Sequence, residues 1–128
     1  MMSDDELRQT ATVMRQHILR MIYTAKSGHP GSSLSAADLV TVLYWDELDI
    51  RPDEPRWPNR DRFLLSKGHA CPVQYTALAM RGYFDLERLA TLRQLDGTLQ
   101  GHPDMHKTPG VDYTTGSLGH GLSLGLGM

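Results

Sequence analysis

Four glycine–histidine pairs stand at intervals along the chain: Gly28-His29, Gly68-His69, Gly101-His102 and Gly119-His120. With 12 glycines and 6 histidines among 128 residues, random placement yields fewer than one such pair. Glycine lets another group come close to the backbone and accepts unusual dihedrals. Histidine is the side chain that changes charge near neutral pH. Imidazoles set beside approachable backbone suit proton exchange and the holding of hydroxyl groups. Four such pairs predict a site assembled from several loops.

Not every histidine enters that reading. His17 falls at the edge of a helical stripe and reads as a polar surface residue. In GHPDMHK (101–107), His102, Asp104 and His106 alternate as metal ligands can. A metal hydrolase built on those three residues is one reading of this spacing, and it requires that they converge. The single Cys71 excludes an internal disulfide framework and a multi-cysteine zinc site.

The elements that must position the loops are legible in outline. Residues 3–25 predict an amphipathic helix. Ser3 and Glu6 form a capping box, Asp4 and Asp5 suit the positive end of the dipole, and Leu7, Ala11, Met14, Ile18, Met21, Ile22 and Ala25 make the apolar stripe. A loop, SGHPGSSL (27–34), leads to a second helix from Ser35 with Asp38 in the capping-box position. Its body, 39–45, is apolar on nearly all sides, which predicts deep burial. Pro52, Pro55 and Pro58 make 51–62 an ordered connector.

Phe63, Leu64 and Leu65 then form a short apolar run followed by Ser66, Lys67 and Gly68 and a helix from Ala70 to Arg81. Strand, loop, helix is the order of a parallel sheet covered by helices. Gly82 ends that helix, and Asp85 opens a short one to about Arg93. Residues 96–116 are loop, and loops of that length inside a compact domain carry function or are disordered. An apolar, glycine-spaced helix is expected from Ser117. The expected fold class is α/β, a parallel sheet flanked by helices. It is incomplete in this chain, because one strand cannot make a sheet, so the others are expected from a continuation beyond Met128 or from another chain.

Composition narrows the function classes. The sequence is 40% hydrophobic and 22% charged, a globular profile, and its net charge of -2 offers nothing for nucleic acid or an anionic membrane. No apolar run approaches a bilayer span, and MMSDDELRQT is unlike a signal peptide, so a cytoplasmic location is expected.

The segments SGHPGSS (27–33), RDRFLLSKGHA (60–70), LQGHPDM (99–105) and TTGSLGHG (114–121) occur in this order, with the Trp-Pro-Asn-Arg-Asp-Arg connector between the first two. This arrangement resembles the N-terminal, diphosphate-binding part of transketolase, over about Thr10 to Met128. The wording TPGVDYTTGSLGHG looks most like the bacterial and archaeal branch in which the enzyme is split into two subunits. The resemblance implies that 1–128 is the N-terminal portion of a diphosphate-binding domain. It implies thiamine diphosphate as cofactor and transfer of a two-carbon ketol unit from a ketose phosphate to an aldose phosphate, the carbohydrate chemistry of the pentose phosphate type. The cofactor would supply the carbanion chemistry.

By the same resemblance, His29 matches a histidine that contacts the donor and acceptor sugars, and His69 one beside the cofactor diphosphate and the substrate. His102 matches one that hydrogen-bonds the terminal hydroxyl of the ketose. Gly116, Ser117 and Leu118 match the tripeptide that touches the cofactor, Leu118 against its thiazolium ring. Ser117 replaces the family's usual proline. His120 stands where glutamine is usual and receives no role. No metal ligand is expected within 1–128. The Gly-Asp-Gly segment and downstream Asn that hold Mg2+ or Ca2+ in this family, and the glutamate that activates the cofactor, would lie outside it. The implied partners are a C-terminal, pyrimidine-binding subunit or domain and sugar phosphates, in a homo- or hetero-oligomer. The alternative is a non-catalytic remnant that keeps its helices as an interaction module.

Overall fold

A computed structural model describes residues 2–128. The first helix, α1 (Asp4–Ala25), begins where the capping box places it. Ser3 Oγ accepts from the Glu6 N–H, and the Ser3 N–H donates to Glu6 Oε2 at 2.8 Å. It ends at Lys26, whose left-handed backbone (φ 50°) turns the chain into the first Gly-His loop. Ala11, Met14, Ile18 and Met21 are its buried stripe. The segment read as loop 27–34 contains a helical turn, α2 (Pro30–Leu34), with Pro30 at a position where a missing N–H costs nothing. The stripe of α1 packs on α3 (Ala37–Val42) and α4 (Cys71–Met80).

α3 differs from expectation at its start. Ala36 is the cap residue and makes no side-chain cap bond. Asp38 pairs instead with Arg15 of α1, so the carboxylate ties two helices together rather than closing a box. The helix then widens into a π-turn, Leu43–Glu47.

The deep burial expected of 39–45 holds only in part: Val40, Thr41 and Tyr44 are buried and Val42 is exposed. Leu39 is 65% exposed, whereas every residue from Cys71 to Ala79 is buried. A helix apolar on all faces needs neighbours on all faces. α4 has them in α1, α2, α3 and the 3-10 turn Leu86–Thr91, which replaces the expected short α-helix. Thus α4 is the pillar of the core.

The expected strand is not formed. Among the described residues there is no β-strand, and 63–65 runs as irregular chain. A strand exists only by hydrogen bonding to a neighbour about 4.8 Å away, and no described segment supplies one. The Phe63 N–H is satisfied by Asp112 Oδ2 at 2.9 Å, its ring packs edge-on against Tyr44, and Leu65 is buried. The parallel sheet of the α/β expectation is therefore absent from the described residues. The connector 51–62 and the long loop 96–116 are non-helical as read, and α5 (Gly121–Gly127) begins four residues later than expected, with Leu122 and Leu126 exposed. Among the described residues no helix is long and apolar enough to cross a membrane.

Candidate functional site

The loops reach one another through α4. Its Tyr75 hydroxyl, buried inside the core, is shared between the carbonyl oxygens of Gln100 at 2.9 Å and His102 at 3.0 Å. One turn earlier Cys71 Sγ donates to the Gly101 carbonyl at 3.2 Å. Three consecutive carbonyls of the LQGHPDM loop are thus fastened to one helix face, which fixes the backbone of His102. Burial pushes the Cys71 thiol up to about 12, so it stays a protonated donor. Tyr75 is held above its ordinary range by burial and by Cys71.

The SKGHA loop is fastened from the other side. Lys67 Nζ donates to the Ser32 carbonyl at 2.7 Å and lies 3.1 Å from Ser35 Oγ, at the C-terminal end of α2, where free carbonyls attract a cation. α2 begins directly after His29. This anchor therefore brings His69, two residues beyond Lys67, against His29: the two rings meet edge to face with centroids 5.0 Å apart.

Gly68 closes the remaining approach. A methyl group there would lie 2.9 Å from Thr115 Oγ1 and 3.0 Å from the Gly116 nitrogen, so only glycine lets the SKGHA loop touch the 115–116 turn. Gly116 in turn faces the ring of His102, which lies 3.5 Å from where its Cβ would be. His29, His69, His102 and Gly116 accordingly form one continuous cluster. Ser117 and Leu118 follow on the same turn and are exposed, Leu118 by 68%. Among the described residues Leu118 is therefore not part of the core.

The charged groups that bear on His69 are all basic. His69 is held below the usual imidazole range, first by partial desolvation and then by the charges of His29, Lys67 and His102, all of them basic. Beside it Thr115 Oγ1 is buried without a hydrogen-bond partner. No carboxylate is among the groups that bear on His69, and the imidazole donors gathered here suit an anionic ligand.

His17 and His106 separate from it, whereas His120 stays on the same turn and lines a cavity with Thr115, Gly116 and Ser117. His106 and His120 are exposed, and His17 is half-buried on α1, its pKa lowered by burial and by Arg20. The triad His102, Asp104 and His106 does not assemble, and among the described residues no group of three or more His, Cys, Asp or Glu side chains is placed to hold a metal ion. Asp104 Oδ1 instead accepts from the His106 N–H at 2.8 Å, an Asx turn that consumes the carboxylate. The metal-hydrolase reading falls with that geometry. A cavity of about 440 Å³ between Arg56, Arg60 and the 105–112 loop lies apart from the cluster. Sequence reasoning passes over Tyr75, Cys71 and Lys67, because a residue that acts by holding a distant backbone carries no local motif.

Residues 7–128 match the family described as the thiamine diphosphate binding domain of transketolase. The chain is 46% identical over 123 residues to the 6-deoxy-6-sulfo-D-fructose transketolase subunit SqwG of Clostridium sp. strain MSTE9, covering 96% of this chain and 45% of that protein. It is 41% identical over 114 residues to an apulose-4-phosphate transketolase subunit of Phocaeicola vulgatus, covering 89% and 40%. Transketolase from Leishmania mexicana superposes with a TM-score of 0.90 at 36% identity, over 99% of this chain and 19% of that one. The chain thus spans less than half the length of these relatives.

Proposed function

The chain belongs to the transketolase family, within its thiamine diphosphate binding domain, and from that premise we propose that it forms part of a transketolase moving a two-carbon ketol unit from a ketose phosphate to an aldose phosphate. The observation that carries this is the gathering of His29, His69 and His102 about the Gly68–Gly116 contact, with only basic groups bearing on His69. In this reading residues 1–128 are the N-terminal portion of the diphosphate-binding domain. The assembly is completed by further polypeptide, by a pyrimidine-binding partner and by oligomerisation, and works in the cytoplasm. Segment 63–65 becomes a strand of the α/β sheet when neighbouring strands are supplied.

The residues present fit the cofactor. The carboxylate-free surroundings of His69 suit a diphosphate, the orphaned Thr115 Oγ1 is a buried polar atom awaiting a partner, and the exposed Leu118 offers apolar surface to a ring. When bound, thiamine diphosphate supplies the carbanion that breaks and makes the carbon–carbon bond. The chain's own residues do the rest. His69, kept neutral at neutral pH by its surroundings, has one ring nitrogen to accept and one to donate. His29 and His102 flank it and hold sugar hydroxyls, exchanging protons with them. Gly116 leaves its backbone open to the ligand. Mg2+ or Ca2+ is assigned to oxygen ligands outside these residues.

Calorimetric titration of the chain with its partner, using thiamine diphosphate and Mg2+, tests the reading. Saturable heat and ketol transfer are expected. A non-catalytic remnant gives neither, and that outcome overturns the proposal.

A further inference from the structure

Arg93 touches both outer loops of the cluster. Its Nη1 donates to Ser27 Oγ at 3.1 Å, two residues before His29. Its guanidinium also lies flat against Gly101, one residue before His102: a Cβ at Gly101 would stand 3.1 Å from Cζ and 3.2 Å from Nε and Nη2. Glycine at 101 is thereby explained by the bulk of this arginine.

The backbone of Arg93 is itself unusual. Its φ is 59°, a left-handed conformation in which side chains other than glycine, asparagine and aspartate are uncommon. A surrounding network holds it there, with the Arg93 N–H donating to the Leu99 carbonyl at 2.9 Å. Glycine would meet the backbone requirement at less strain, so the side chain is what the position retains. Nor is Arg93 tied up in an ion pair: none of the pairs among the described residues includes it.

We propose that Arg93 is a positioning residue, a planar clamp between the Ser27 and Gly101 loops that sets the separation of His29 and His102. The proposal rests on the functional reading for its kinetic consequence, but the clamp itself is a property of this chain. Its shape matters as much as its charge. A guanidinium can lie on a glycine and donate sideways in one plane, which an ammonium cannot.

The test compares S27A, R93A, the S27A/R93A double variant and R93K in the assembled protein. Misplaced groups lose rate steeply, so S27A is expected to lower kcat severalfold and R93A about 10-fold, with smaller changes in KM. The double variant should be no worse than R93A, because both remove one contact. R93K should fail to rescue. In parallel, the imidazole resonances of His29 and His102 are titrated by NMR in the 128-residue chain, where both are expected to move in R93A and S27A while His17 does not. Additive kcat losses, rescue by lysine, or unmoved His29 and His102 resonances would overturn the clamp. If the assembled protein shows no ketol transfer at all, the functional reading fails, and the NMR titration still decides the clamp.

Discussion

His29 and His69 stand edge to face with their centroids 5.0 Å apart, held there by Lys67 reaching into the end of α2. Partial desolvation disfavours a proton on His69, and an imidazole so close adds to this, which is why His69 titrates below the ordinary histidine range. The unfolded chain then binds a proton that the folded chain resists. Stability is complete above about pH 6.5 and falls as pH drops through the lowered folded value. Thermal unfolding monitored between about pH 8 and pH 5 is expected to show a falling midpoint. In His69→Gln that fall should shrink and not vanish, because His17 is shifted in the same direction. An unchanged slope in the variant would refute the coupling.

Asp112 carries a second prediction. It pairs with Arg60 at 2.7 Å, accepts from the Phe63 N–H, and both carboxylate and guanidinium are largely buried. Asp112→Ala strips both partners at once. Breaking one side of a buried pair costs about 3–5 kcal/mol, and urea titration should register a loss of that order. A loss under about 1 kcal/mol would mean that water replaces the carboxylate easily.

Gly68→Ala should damage the site through packing. The added methyl meets Thr115 Oγ1 and backbone of Thr115 and Gly116, none of which is the free end of a flexible chain. Overpacking of this kind costs about 1–3 kcal/mol. Cofactor affinity of the assembled protein should fall with it, since the 115–116 turn must retreat. Calorimetry showing full affinity would contradict that placement.

His102→Ala separates chemistry from folding. The side chain is exposed, and the backbone of its loop is held by Tyr75 and Cys71 rather than by the imidazole. The expected result is a melting midpoint close to that of the parent protein and a turnover reduced about 100-fold in the assembled enzyme. Unchanged turnover would remove His102 from the proposed machinery.

Much of the candidate site is legible in sequence because its loops are marked by local residue types: three of the four Gly-His pairs fall in the cluster, and Gly68, Gly101 and Gly116 each admit a close neighbour. α1 is equally legible, since its cap and stripe are local. The exposure of Leu39 and Val42 and the missing pairing of 63–65 are not, because burial and hydrogen-bond partners are properties of what lies opposite.

The amino-acid order by itself determined which residues are candidates for the chemistry and where the backbone must bend, for these follow from side-chain type and short-range sterics. Only the folded arrangement decided that Tyr75 and Cys71 hold the His102 loop, that Lys67 delivers His69 to His29, and that Arg93 spans Ser27 and Gly101. Those contacts join segments far apart in the chain, and closing such loops costs entropy that only the whole buried core around α4 can offset.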